Sequence, residues 1–385
     1  MARNGYKIFD SDTHVGPAAD ILQRYLTEGE RRRLDSWEAF KSIDKQTGHW
    51  EYTRGRRNFP RVLSTADGDV NRPRTAVRKH HDQNDMPLPQ AESDPHDRIK
   101  DMDREGVDVN LTLPSSWFGT FTVHDDVALE AAMYRAYHRW MADYCGAFRD
   151  RIKGVILACA RDVPGSLKEI ERCAHEDWPL ACMVYAPSGF PLDHPDLEPI
   201  WAACQHHDLS IALHTFTAMP PYAPGSLDTW NNYFLQRSVA HSWCGELSTA
   251  ALIGSGIMDR YPRLRIAPLE AGHGWLPFWM TRMDEHAKSH VNYIPELKMR
   301  PSDYVRSGRY FQSIEMSEGE ALTKAVLGLI GDDILMYASD YPHRESWFPK
   351  SVETVMAWDL PEPTKRKLFW DNALRYYARY RPAVA

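Results

Sequence analysis

Four stretches carry side chains that could do chemistry together: Asp10, Asp12 and His14 in FDSDTHVGP, His214 in LSIALHT, Glu270 and His273 in LEAGHGWLP, and Asp340 with His343 in YASDYPH. Asp10, Asp12 and His14 occupy alternate positions where a first strand runs out. Alternate side chains of a strand share a face, so Asp12 and His14 point the same way. A carboxylate and an imidazole on one buried face are costly unless a cation or a proton network compensates them. Taken singly, each residue has a plainer reading: His214 as a hydrogen-bonded core histidine, Asp340 as the cap of a following turn or helix. Carboxylates and imidazoles delivered together by four strand ends have a more economical one, a divalent cation at the point where they converge.

The elements that must position them are legible from about residue 96 onward, where short apolar runs alternate with helical patterns in the rhythm of repeated βα units. The expected strands are VDVNLTLP (107–114), KGVILACA (153–160), LACMVYAP (180–187), LSIALHT (209–215), LRIAPLE (264–270), RYFQSIE (309–315) and DILMYASD (333–340), and YKIFDSD at the start makes eight. GSLKEIERCAHE, LEPIWAACQHH and EGEALTKAVLGLI between them have apolar spacing near the helical period. Eight strands alternating with helices predict a (β/α)8 TIM barrel, with a doubly wound open sheet as the rival. Residues 15–95 break the rhythm: RGRRNFPR, NRPRTAVRKHH and MPLPQ hold too many Pro and Arg for a simple crossover helix. A structureless loop of that length does not suit a compact domain, so the segment is expected to fold as an insertion. Loops after strands lie at the catalytic face, which makes it a lid on a single domain spanning 1–385.

Composition sets the bounds. The chain has 385 residues, 43% hydrophobic and 26% charged, which suits a globular protein with a large core and excludes disordered and collagen-like classes. A net charge of -7 argues against a nucleic-acid partner. Six cysteines, with no CxxC pair, read as reduced core residues. The start has no apolar signal-like region, and no run approaches the roughly 18 apolar residues of a membrane span, so a cytoplasmic protein without a membrane partner is expected.

DSDTH, DPHDRIKDMDREGVD, IALHT, GIMDRYPRLRIAPLEAGHGWLPFWMTRMDE and YASDYPH, with FWDNALRYY near the end, resemble the amidohydrolase-related family that includes aminocarboxymuconate semialdehyde decarboxylase and γ-resorcylate decarboxylase. The resemblance covers nearly the whole chain apart from 15–95 and implies a metal-dependent barrel of amidohydrolase type. It places the family's first-strand ligand pair on Asp12 and His14, its strand 5 histidine on His214 and its strand 8 aspartate on Asp340. The strand 6 histidine that assists decarboxylating members falls on either Glu270 or His273, both of which are also within reach as ligands. The wider superfamily often bridges two metals with a carboxylated lysine on strand 4, but LACMVYAPS has none, so one metal is the implied default. Glu270, His273 and His241 are then left over. Glu270 could bridge a second ion, as in a small branch resembling 2-aminoisobutyrate hydroxylase, where manganese and iron activate oxygen.

Two carboxylates and two imidazoles make a mixed O/N set that suits zinc or manganese and admits iron. Such an ion polarises a substrate oxygen or lowers the pKa of bound water. Asp340 is the expected general base, with Glu270 or His273 as the second acid/base group. Arg54, Arg56 and Arg57 suit a substrate carboxylate through bidentate hydrogen bonds, unless they form only a solvated basic loop. Trp117 and Phe118 could wall an apolar pocket or simply pack. His80-His81 and His206-His207 read as surface pairs. The expected function is non-oxidative decarboxylation or hydrolysis of a small carboxylate by a homo-oligomer. The alternatives are a dinuclear Mn/Fe oxygenase component hydroxylating a small amino acid, and a non-catalytic barrel subunit of a heteromer; the intact ligand set argues against the last.

Overall fold

The structure, a computed structural model, describes residues 3, 5–45, 48–52, 86–88, 91–115, 121, 125–186, 190–214, 233–295, 297–343 and 346–382. Arg54, Arg56, Arg57, His80, His81, Trp117 and Phe118 lie outside them.

All eight expected strands form: β1 (Phe9–Val15), β2 (Val109–Pro114), β3 (Ile152–Cys159), β4 (Pro179–Tyr185), β5 (Ser210–His214), β6 (Ile266–Leu269), β7 (Gln312–Ser313) and β8 (Leu335–Met336). The first six pair in parallel in chain order, and β7 pairs with β8 in parallel. Three seams close the ring. Phe311 N–H donates to Ile266 O (2.9 Å) between β6 and β7, Ile314 N–H to Met336 O (2.8 Å) between β7 and β8, and Ser11 N–H to Tyr337 O (3.0 Å) between β8 and β1. The doubly wound alternative is thereby set aside, because an open sheet would leave β1 and β8 unjoined. β3 and β4 are buried along their whole length, which is why they read as continuous apolar runs and not as alternating ones.

The helices begin where the sequence supplies caps. Asp94 accepts from His96 N–H (2.8 Å) ahead of α1 (Pro95–Glu105), Asp126 from Leu129 N–H (3.0 Å) ahead of α2 (Val127–Gly146), and Asp162 from Gly165 N–H (3.0 Å) ahead of α3 (Val163–Ala174). α1 ends at Gly106 with φ +84, a left-handed stop that favours glycine. α4 (Glu198–His206), α5 (Tyr233–Gly254), α6 (Leu276–Ser289), α7 (Gly319–Ile330) and α8 (Ser351–Ala357) follow the later strands.

The motif FWDNALRYY seals the end of the barrel where the strands start. Asn372 Nδ2 donates to Asp332 O and Leu335 O, the Tyr376 hydroxyl to Ile211 O (2.7 Å), and the Tyr377 hydroxyl to Ser11 O (2.9 Å). Within 15–95 the described part folds as two short helices (Ala19–Gln23 and Glu28–Arg31), a 3-10 helix (Arg32–Phe40) and a hairpin (Lys41–Ile43 with Trp50–Tyr52). All six cysteines are buried and form no disulfide with one another. Among the described residues no helix is long and apolar enough to cross a membrane.

Candidate metal centre

Four strand ends bring six side chains to one point. β1 carries an irregularity between Asp10 and Thr13, where three steps of β1 oppose two of β2. Such a bulge re-aims side chains beside functional sites. It separates Asp10, whose carboxylate accepts from Ser339 N–H (3.0 Å) and Oγ (2.5 Å), from Asp12 and His14, which face each other at 3.6 Å. The sequence set all three at alternate positions of one strand; the bulge keeps only the last two together.

His14 Nε2 stands 3.1 Å from Asp340 Oδ1, and His214 Nε2 stands 3.1 Å from Glu270 Oε2 and 3.7 Å from Asp12 Oδ1. His343 Nδ1 approaches the same Asp340 oxygen at 2.8 Å, with its ring stacked on His14 at 4.0 Å between centroids. His241 from α5 reaches the other Glu270 oxygen at 3.4 Å. Ligand-capable atoms of His14, Glu270, Asp340 and His343 all lie within 4.8 Å of one another, as do those of Asp12, His14 and His214.

The backbone is strained to achieve this. Glu270 (φ +49) and Asp340 (φ +58) both adopt the left-handed region that non-glycine residues avoid, at a cost of order 1 kcal/mol or more each. Asp10 anchors the second of them through Ser339, whose hydroxyl also accepts from Tyr341 N–H (3.1 Å). Arg98, fully buried in α1, fixes the strand beneath His14: its guanidinium donates to His14 O, Thr13 Oγ1, Asn110 Oδ1, Ala91 O and the Tyr144 hydroxyl, and lies 4.9 Å from the Tyr341 ring centre.

The electrostatics fit a cation. Burial, then the neighbouring charges of Asp340, Glu270 and Asp10, push the Asp12 carboxyl well above the usual carboxylate range. Its buried Oδ1 accepts no hydrogen bond among the described residues, an orphaned position that a cation would occupy. Burial opposes ionisation of Glu270 too, but His241, His214 and His343 outweigh it and hold that carboxyl well below its ordinary value. Burial pushes His14 down to about 4, which keeps its ring neutral and available as a ligand. The donor set therefore suits a divalent ion held by Asp12, His14, His214 and Asp340, with Glu270 and His343 alongside.

His273 is placed elsewhere. Its ring is fully buried, Nδ1 accepts from Glu315 N–H (3.0 Å), and Nε2 meets Thr323 Oγ1 (2.9 Å), so both nitrogens are engaged away from the cluster. Three residues near the centre lie outside the ligand set that motif matching supplied. His343 sits one turn after Asp340, His241 projects from a helix far from any strand end, and Glu315 closes the seventh expected strand. Of these only Glu315 carried an unused signal, a carboxylate at a strand end. His206 ends α4 exposed, as expected, while His207, the cap that follows, is partly buried and pairs with Glu171 (2.8 Å).

The chain is similar to proteins of known activity. A γ-resorcylate decarboxylase of Polaromonas sp. is 24% identical over 293 residues, covering 72% of this chain and 85% of its own length. The 2-amino-3-carboxymuconate-6-semialdehyde decarboxylase of Dictyostelium discoideum is 26% identical over 298 residues, covering 74% and 76%. Among solved structures, the 5-carboxyvanillate decarboxylase of Novosphingobium aromaticivorans, with bound manganese and a nitrobenzoic acid, superposes with a TM-score of 0.66 at 20% identity over 98% of each chain. An amidohydrolase of Mycobacterium avium subsp. paratuberculosis reaches 0.73 at 19% identity, covering 98% of this chain and all of its own. The amidohydrolase profile matches residues 12–379, from the first ligand strand to the helical segment that seals the barrel, and the chain belongs to that family.

Proposed function

We propose that this protein is a metal-dependent decarboxylase of small, aromatic carboxylates. The observation that carries the reading is the convergence of Asp12, His14, His214 and Asp340 at the strand ends, in a barrel whose curated relatives break the bond to a carboxyl group. Asp12, His14, His214 and Asp340 would hold the ion; manganese is favoured because three of the similar structures bind it, and zinc fits the same donors. When bound, it would polarise an oxygen of the substrate.

The rest is the work of the chain. Asp12, Glu270, Glu315 and Asp340 share a cavity with the apolar side chains of Ile314, Met316 and Trp347. That wall excludes water, and loss of CO2 spreads a localised carboxylate charge into the substrate, a change that a poorly hydrated pocket favours. Glu270 stays ionised against its imidazoles and orients them. The 15–95 insertion is the lid in this reading, with Arg54, Arg56 and Arg57 supplying bidentate contacts to the substrate's acid group. Trp117, just after β2 in the sequence, would wall the substrate.

A second reading is favoured by one observation. Seven ligand-capable side chains gather here, and Glu270 faces His214 with one oxygen and His241 with the other (3.1 and 3.4 Å), as a bridge between two ions would. A centre of two ions would admit oxygen chemistry.

His214→Ala tests the main reading. The variant should fold, lose most of its metal by elemental analysis, and release almost no CO2 from dihydroxybenzoates offered to the manganese-loaded protein. Full metal content in the variant would return His214 to the role of a core histidine.

A further inference from the structure

Glu315 follows β7 by two residues and lines the cavity that also holds Asp12, Glu270 and Asp340. The other carboxyl groups of that cavity are committed: Asp340 stands between His14 and His343, Glu270 between His214 and His241, and Asp12 opposite His14 and His214. Glu315 belongs to neither group of close-set ligand atoms. Among the described residues its carboxyl is met by its near neighbour Ser317, whose Oγ donates to it at 3.1 Å.

Its backbone, by contrast, is held firmly. Glu315 N–H donates to Nδ1 of the buried His273 (3.0 Å), whose Nε2 is fixed by Thr323 Oγ1 (2.9 Å). The Glu318 carboxylate accepts from the backbone N–H groups of His273 (2.8 Å) and Gly274 (2.9 Å), which locks the turn after β6 to the turn after β7. A side chain with an anchored root and an uncommitted carboxyl, walled by Ile314, Met316 and Trp347, is the arrangement expected of a group that meets the substrate.

We propose that Glu315 is the proton donor of the decarboxylation, and that His273 is the positioning residue that sets its reach. The proposal rests on the decarboxylase reading above. In the step it describes, the ring carbon bearing the carboxylate takes the Glu315 proton and forms a C–H bond. The bond from that carbon to the carboxylate carbon then breaks, its electron pair returns to the ring, and CO2 leaves. Glu315 is left as a carboxylate, which water reprotonates.

Burial, then the charges of Asp340 on the β8 side and Glu270 on the β6 side, push the Glu315 carboxyl up to about 8, against the opposing hydrogen bond from Ser317. Asp12, from β1, adds a further carboxyl to the same cavity, while Glu318 is turned onto His273 (2.7 Å).

The test compares manganese-loaded parent with Glu315→Gln, an isosteric change that keeps a hydrogen-bonding group and removes the exchangeable proton. Three readouts are taken: metal content, the infrared difference spectrum between the two proteins near neutral pH, and CO2 release from 2,6-dihydroxybenzoate as pH is varied. The expected result is unchanged metal content, a protonated-carboxyl stretch present in the parent and absent from the variant, and a fall in turnover of roughly a hundredfold or more. The parent should lose activity as pH rises and deprotonates the donor, and the residual activity of the variant should not follow that limb. Metal loss, an ionised Glu315 in the difference spectrum, or parental turnover in the variant would each overturn the proposal. A parent that takes up metal and shows the protonated carboxyl but releases no CO2 from any carboxylate offered would overturn the decarboxylase reading, on which the donor role rests. His273→Asn, whose amide oxygen can replace the Nδ1 acceptor, should retain more turnover than His273→Ala at equal metal content; equal losses in both would overturn the positioning role.

Discussion

Glu270 lies 3.1 Å from one imidazole and 3.4 Å from another, through different oxygens, while held at positive φ. Strain of that kind persists only where the surroundings over-determine it. The Ser313 hydroxyl accepts the Glu270 N–H (3.1 Å) and fixes the turn in which the strain is held. Glu270→Gln separates the two accounts of the centre. With a single ion on Asp12, His14, His214 and Asp340, the variant should keep about one metal per chain and lose turnover, because an amide orients imidazoles but carries no charge. With Glu270 between two ions, the same change should lower the content from about two to about one, since a neutral amide is a poor ligand between cations. Elemental analysis of protein purified without added metal gives the answer directly. One ion is the expected outcome.

At the scale of elements, β1, β8 and α1 are one unit. Asp10 joins β1 to Ser339 beyond β8, and Arg98 joins α1 to the backbone of His14 and to the face of Tyr341. A guanidinium has five donors in a rigid fork, and all of the acceptors around Arg98 are carbonyl, amide or hydroxyl oxygens. Lysine carries three donors and cannot satisfy them. Arg98→Lys should therefore lower unfolding stability by roughly 2 to 4 kcal/mol, measured by denaturant titration of the metal-free protein. Metal affinity should fall with it, because the strand carrying Asp12 and His14 loses its support. A variant as stable as the parent would mean that water replaces the lost bonds at no cost.

For the whole molecule, the excursion between β1 and α1 is the segment whose role at the centre is open to test. Its return packs at the barrel mouth, with Leu88 and Ala91 against Tyr341 and Phe348, beside the turn that carries Asp340. If the segment between covers the face and recognises an acid, replacing Arg54, Arg56 or Arg57 by Lys should weaken substrate binding at one of the three. The loss should be roughly 1.5 to 3 kcal/mol where the bond is buried, read as a rise in KM with metal content unchanged. Parental KM in all three variants would make the loop a solvated surface.

The number and order of the strands, and the delivery of Asp12, His14, His214 and Asp340 at or just past strand ends, were determined by the sequence alone. Apolar runs and helical periods are local properties, and a parallel barrel turns strand order directly into spatial order. What faces the ligand point between the strand ends was decided only by tertiary structure. A bulge in β1 turned Asp10 away from Asp12. The positive φ of Glu270 swung its carboxylate inward, while His273, three residues on, was drawn beneath the turn to hold Glu315. His241, left over as a spare ligand in the sequence, was brought to Glu270 from the middle of a helix whose own pattern does not show which way it faces. These outcomes depend on rotations about a few backbone bonds and on partners 40 or more residues distant, and neither is encoded in the spacing of residue types along the chain.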